Sequence, residues 1–186
     1  MAMIGWGKPR IFYKPITQNG DGTWKEFATP IENSTTLSTT KGDKQEAKLE
    51  GGANEDVKYG KNTYALTFSI RAAKNRIRPI EDEDGVIKTN YAIVLQPEDP
   101  EVQGFAMEAT TASVEDTFTS ADGGAWAYTF DALEPTISSM TKVKQVQWGV
   151  IKVTEANGTI SNITIDLDGN GTTAQAVEIA KKKATT

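Results

Sequence analysis

Carboxylates are the first chemical resource visible in this sequence. They stand in two short runs, Glu81-Asp82-Glu83-Asp84 and Glu98-Asp99-Pro100-Glu101. Glycoside hydrolysis needs two carboxyl groups held about 5–9 Å apart across a cleft, one giving a proton and the other attacking or activating water. Consecutive carboxylates on a loop are more simply solvated, and nothing in their spacing brings two of them across a cleft. Asp166-Leu167-Asp168-Gly169-Asn170-Gly171 begins like an EF-hand calcium loop, with oxygens at alternate positions for a hard cation. The bidentate Glu that such a loop needs falls at Val177, with Glu178 one residue too late. Ser38-Thr39-Thr40-Lys41 and Ser139-Met140-Thr141-Lys142 match the S-x-x-K nucleophile motif, but no Ser-Asp-Asn or Lys-Thr-Gly partner occurs. The expectation is a chain with no catalytic residues, no metal site and no cofactor.

Two absences sharpen this. The 186 residues include no histidine and no cysteine. Ser-His-Asp triads, histidine general bases, thiolate nucleophiles, disulfides and thiolate zinc sites are therefore excluded. The formal net charge is -5, a poor start for holding nucleic acid through its phosphates. One basic run, Arg71-Ala72-Ala73-Lys74-Asn75-Arg76-Ile77-Arg78, stands just before the first acidic run. It reads as a nucleic-acid contact, a solvated or internally paired patch, or one of two complementary faces between neighbouring copies. Trp126, Tyr128 and Phe130 could stack bases, but three aromatics at strand spacing more simply fill a core. The first ten residues hold too short an apolar run for a signal-peptide core, and no run approaches the 20 or so residues that span a bilayer. The expectation is a soluble protein made in the cytoplasm, with no membrane partner.

Strands must position whatever these residues do. Turn dipeptides recur at Asn19-Gly20, Asp84-Gly85, Asp122-Gly123, Asn157-Gly158 and Asp168-Gly169. Strand-like runs cover 10–14, 23–27, 63–71, 91–96, 105–110, 113–119, 126–130, 146–154 and 159–167. Tyr91–Gln96 is apolar on both faces, as a central strand is. The expected core includes Leu66, Phe68, Ile93, Leu95, Trp126, Tyr128, Phe130, Trp148 and Ile163. One helix is expected from near Thr172, where Thr172-Thr173-Ala174-Gln175 fits a capping box and lysines close the C-terminal end. The fold class read from this pattern is all-β with one flanking C-terminal helix: two packed antiparallel sheets, a sandwich or barrel, in a single domain of residues 1–186.

Residues 29–61 differ from the rest. They have strand-forming Ser and Thr but few large apolar residues, with Leu37, Leu49, Val57 and Tyr59 scattered among charges. A hairpin here would bury little within its own chain. The segment reads as an arm that pairs with another subunit, or as a solvated excursion.

The chain resembles the phage major tail proteins, the tail tube family. The likeness is carried by Gly5-Trp6-Gly7-Lys8-Pro9-Arg10, by the stretch from Pro30-Ile31-Glu32-Asn33 to Glu50-Gly51-Gly52, and by Asp56–Leu66. Ala121–Leu133, Val146-Gln147-Trp148-Gly149 and the following Asn-Gly hairpin add to it. The resemblance implies two packed antiparallel sheets with a flanking helix, in a subunit that forms hexameric rings. The rings stack into a hollow virion tail tube, assembled in the bacterial host cytoplasm, through which the genome leaves. Hcp-type tube proteins of type VI secretion share that fold. Partners would be further copies of the chain and other tail proteins, with DNA only as passing cargo. In the family a long loop early in the chain reaches the adjacent ring, and residues 29–61 stand at that place. Candidate intersubunit residues are Leu37 and Leu49 on the arm, Arg71, Arg76 and Arg78 on the basic run, and Glu81, Asp82, Glu83 and Asp84 on the acidic turn. A monomeric ligand-binding β-sandwich is the competing class and would show an exposed aromatic groove.

Overall fold

A computed structural model describes residues 7–17, 22–135, 144–167 and 174–176. The elements, in chain order, are β1 (Arg10–Pro15), β2 (Lys25–Glu26), β3 (Thr36–Thr40), β4 (Lys44–Lys48), β5 (Asn54–Tyr59), β6 (Thr63–Arg71), β7 (Tyr91–Gln96), β8 (Gln103–Thr119), β9 (Gly123–Ala132), β10 (Gln147–Ala156), β11 (Thr159–Asp166) and β12 (Ala174–Ala176). Among the described residues there is no helix. Every strand pairing is antiparallel. Ten strands form one large sheet, and β4 with β5 form a separate small one.

The large sheet branches at β8, a single strand of 17 residues where the sequence reads as two. Its first half pairs with β7 on one edge and β10 on the other; its second half pairs with β9, which leads on to β6 and β3. The expected two sheets are thus two layers of one hydrogen-bonded sheet that share β8. An isolated bridge from Trp24 to Ile160 ties the β2 edge towards β11 on the far side.

This branching gives β1, β7 and the first half of β8 a core on each face. Ile11, Tyr13, Ile93, Phe105 and Met107 join Leu66, Phe68, Ile70, Val114, Tyr128 and Phe130 of the β6–β9–β8 layer in a first core. Phe27 lies inside it, with ring centroids 4.3 Å from Tyr13, 5.0 Å from Phe68 and 5.3 Å from Tyr128. The alternate residues Phe12, Ala92, Val94 and Ala106 face the other way and pack with Trp24, Ile151, Ile163 and Ile165 in a second core. Burying each large apolar side chain contributes roughly 1.5–3 kcal/mol, so strands used on both faces anchor the fold. Asn157-Gly158 and Asp84-Gly85 form the expected tight turns, with φ of 51° and 74°, and 51° and 83°.

Two expectations are corrected. Trp148 is 51% exposed rather than buried. Ile151 of the same strand points into the second core, and the two-residue period then sends Trp148 outward, where it leans on Phe105 at 5.2 Å between ring centroids. The expected C-terminal helix is not what Ala174–Ala176 form: these residues pair with Thr164–Asp166 as β12. The open edge of β11 offers hydrogen bonds to an adjacent chain, whereas an isolated three-turn helix is marginal in water. Thr172 and residues 177–186, on which the rest of that expectation falls, lie outside the described residues. Of the remaining expected core, Leu66, Phe68, Ile93, Tyr128, Phe130 and Ile163 are buried, while Leu95 and Trp126 are half-buried against the first core.

Candidate interaction surface

The segment 29–61 divides in two. Its first part belongs to the folded layer. The Ile31 N–H donates to the Ser69 carbonyl at 2.8 Å, and β3 pairs with β6 from Thr36↔Thr67 to Thr40↔Thr63. Leu37 packs half-buried against the first core of its own chain. The second part, β4 and β5, continues outward as a hairpin in which every residue from 43 to 60 is exposed. Its register runs from Lys44↔Tyr59 to Lys48↔Asn54, with a bulge after Ala47. At about 3.3 Å per residue the strands carry the tip roughly 20 Å past the layer.

The root of this hairpin is pinched at two glycines. The Gly60 N–H donates to the Asp43 carbonyl at 2.8 Å. A Cβ on Gly42 would lie 2.3 Å from the Gly60 carbonyl carbon, so only glycine lets the strands cross this closely. The tip turns through Gly51 and Gly52, with φ of 102° and 88°. Lys44 and Lys48 both pair with Glu46, on the face that also carries Val57 and Tyr59. Leu49 is 51% exposed and Tyr59 65% exposed. A lone two-stranded hairpin is marginally stable at best in water. Lys61 at its foot pairs with Glu134, which fastens the root rather than the tip.

The basic run forms a loop after β6 that wraps the β8–β9 turn. The Ala72 N–H donates to the Gly124 carbonyl at 2.8 Å, and the Arg71 guanidinium donates to the Asp122 carbonyl at 2.6 Å. Arg76 donates to the Arg71 carbonyl at 2.7 Å. Arg78 turns inward instead. It pairs with both Asp82 and Asp116, and its guanidinium carbon stands 5.6 Å from the centroid of the Trp126 ring. Of the candidate residues in this run, Arg78 is internally committed; Arg71 and Arg76 are exposed and bond only to carbonyls.

The acidic turn is divided in the same way. Asp82 lies beneath the turn, its side chain 7% exposed, and its carboxylate accepts the Gly85 N–H at 2.8 Å. That hydrogen bond and the Arg78 guanidinium hold its pKa below the usual carboxylate value, against the opposing effect of burial. The hydrogen bonds that Arg78 donates to the Asp116 and Asp82 carboxylates push its pKa up. Glu83 pairs with Lys88 at 2.6 Å, while Glu81 and Asp84 are exposed. The structure therefore places Arg78, Asp82 and Glu83 in contacts within one chain. It leaves Leu49, Arg71, Arg76, Glu81 and Asp84 on the surface.

The aromatic stripe is packed, not open. Tyr128 and Phe130 are buried and stacked, with ring centroids 6.2 Å apart. The Tyr128 hydroxyl makes no well-formed hydrogen bond, although the Ile80 N–H faces it; burial pushes its pKa up to about 12. A surface groove of about 780 Å³ opens beside the root of β3, between Pro9, Ile31, Leu37, Leu95, Pro97 and Phe105. Its carboxylates, Glu32 and Glu98, are both exposed, and Glu98 accepts the Lys8 N–H at 3.1 Å. Among the described residues, no group of three Asp or Glu gathers where it could hold a metal ion. Asp166 of the calcium-loop motif is buried at the end of β11, while 168–171 lie outside the described residues. Ser38 stands on exposed β3 and donates to the Ala65 carbonyl at 3.3 Å; Ser139 and Lys142 lie outside the described residues. No helix among the described residues is long and apolar enough to cross a membrane.

Sequence reasoning missed Ile77 and Phe118, which are 88% and 79% exposed. Phe118 shares strand parity with buried Val114, so alternation alone predicts it inside. It is outside because β8 runs on past the edge of the core. The chain matches no protein-family model and no curated protein.

Proposed function

We propose that this chain is a structural virion protein: a phage tail tube subunit whose copies close into hexameric rings and stack into a hollow conduit for the genome. The observation that carries this reading is the β4–β5 hairpin. It is a paired, wholly exposed extension of a well-packed layer, with no core of its own. Ordering each residue costs about 1–2 kcal/mol in backbone entropy, and exposed side chains return little of it. A neighbouring subunit supplies what is missing.

The remaining features fit the same role. The chain acts without a catalytic centre or cofactor. Its partners are further copies and other tail proteins, and DNA only passes through. A net charge of -5 suits a conduit that must not grip phosphates. The tail of the virion is its location, after assembly in the host cytoplasm. The flanking C-terminal helix that the resemblance implies belongs to this proposal as well.

The test is electron microscopy of the concentrated protein, beside a variant in which Gly42 is joined directly to Lys61. The full chain is expected to form rings or tubes, and the variant a folded monomer with unchanged circular dichroism of its sheet. A full chain that stays monomeric at every concentration, or a variant that still builds tubes, overturns the proposal.

A further inference from the structure

We infer that the tip of the hairpin docks on the surface formed by the 71–77 loop and the β8–β9 turn of a second copy. This rests on the self-assembly reading above and goes beyond it, by naming the surface that receives the arm and the chemistry that selects it.

The receiving surface is unusual in this molecule. Ile77 and Phe118 are among its most exposed large apolar residues, at 88% and 79%. They are brought to one end of the layer by separate elements. Arg78, next to Ile77, pairs with Asp116, two residues before Phe118. Gly124 lies between Ala72 and Phe118: a Cβ there would stand 3.3 Å from the Ala72 Cβ and 3.9 Å from the Phe118 ring. The loop that carries Ile77 also carries Arg71, Lys74 and Arg76, none in a salt bridge among the described residues. Asp116 is already engaged by Arg78, and the Asp122 carboxylate accepts the Thr119 hydroxyl at 3.3 Å. Glu115 is exposed nearby, and the acidic turn that follows Arg78 leaves Glu81 and Asp84 exposed on the side towards Val114, away from the β8–β9 turn that Arg71 and Ala72 hold.

The hairpin tip is the complement. From Leu49 to Val57 it carries Glu50, Glu55 and Asp56 and no basic residue. None of these three carboxylates has a salt-bridge partner among the described residues; Asp56 accepts only the N–H of its neighbour Val57, at 2.8 Å. Leu49 and Val57 are exposed beside them. Three acids beside two apolar side chains on the tip thus answer three cations of the 71–77 loop beside Ile77 and Phe118 of β8. Opposite charge of this kind steers docking and sets its register. The two surfaces are different parts of the molecule, so each copy gives a tip and receives one. Such a head-to-tail contact repeats instead of stopping at a dimer.

The test uses the absence of cysteine from the native chain. A Leu49→Cys chain is mixed with an Ile77→Cys chain under mild oxidation, with Leu49→Cys plus Lys152→Cys as the control pair. A disulfide needs Cα atoms within about 7 Å, so cross-linking reads direct contact. A 49–77 cross-link between chains, well above the control, is expected. In parallel, Lys74→Glu with Arg76→Glu is expected to raise the concentration needed for assembly about tenfold or more, as is Glu50→Lys with Glu55→Lys, and the four changes combined restore it. If joining Gly42 to Lys61 abolishes assembly while the charge variants assemble normally and no selective cross-link forms, the arm assembles the protein but docks elsewhere, and this inference falls alone. If the full chain never assembles, both readings fall.

Discussion

Strands β7 and β4 are both short antiparallel strands, of 6 and 5 residues, with partners in regular register. In Tyr91–Gln96 no residue is exposed, because Ile93 and its alternates face one core while Ala92 and Val94 face another. In Lys44–Lys48 every residue is exposed. The hydrogen-bond ladders are alike, so the ladder is not what separates them. Backbone hydrogen bonds exchange partners with water and contribute about 1 kcal/mol net, whereas the side chains of β7 leave water altogether. β7 is held by its own molecule. The β4–β5 hairpin has a shape that becomes useful when something else covers it.

The largest effect that sharpens this contrast is expected in the first core. Phe68→Ala, at a side chain only 1% exposed between Phe27 and Phe130, should destabilise the monomer by about 3–5 kcal/mol in urea unfolding. A loss under 1 kcal/mol would show that the β6–β9 layer is as loosely held as the hairpin.

Alkaline pH should give the next effect. Tyr128 has its pKa raised from 10.0 to about 12 by burial. The unfolded chain therefore loses that proton first, and stability falls as pH rises above 10. A shift of that size corresponds to roughly 3 kcal/mol between the two limits. Tyr13 and Tyr91, also raised by burial, add to the same fall. Tyr128→Phe should make the alkaline limb shallower; an unchanged slope would mean that the ring is not held neutral by the core.

Asp82 has the opposite sign. Its pKa is lowered below 3.8, so its contribution is fully present above that value and is lost as pH falls through the lower, folded-state pKa. Asp82→Asn should cost about 1–3 kcal/mol at neutral pH, because the Gly85 N–H and Arg78 lose a charged partner. The gap between wild type and variant should close in acid; a gap constant down to pH 2 would refute the assignment.

The smallest expected effect is on the hairpin. Val57→Ala should change monomer stability by less than about 0.5 kcal/mol, as exposed substitutions do. A larger loss would place Val57 in a packed contact within its own chain.

Local pattern made much of this legible. The turns at Asn157-Gly158 and Asp84-Gly85 follow from residues that accept positive φ, and the alternation of Tyr64, Leu66, Phe68 and Ile70 marks the buried face of β6. The scarcity of large apolar residues between 29 and 61 already announces a segment with no core of its own, although its first part, β3, joins the sheet. The pattern misled at Trp148, where hydrophobicity argues for the core while the parity of buried Ile151 points the side chain outward. Whether such a side chain is covered depends on which strand lies above it, and that is a long-range matter. The basic and acidic runs are open to several readings, internal pairing among them. As a string they are two charged blocks; in space Arg78 and Asp82 close on each other while Arg71, Lys74 and Arg76 stay outside.

The amino-acid sequence by itself determined the strand class, the tight turns, the absence of histidine and thiol chemistry, and the poverty of the arm. Each of these depends on a residue's own type or on neighbours a few positions away. Only the tertiary structure decided that β8 is one strand shared by two layers, and that residues 29–40 join the sheet while 43–60 leave it. It also decided that Ile77 and Phe118 stand exposed while Arg71, Lys74 and Arg76 form no salt bridge among the described residues. Those outcomes turn on pairings between residues far apart in the chain, where register and burial are set by how all the strands pack at once.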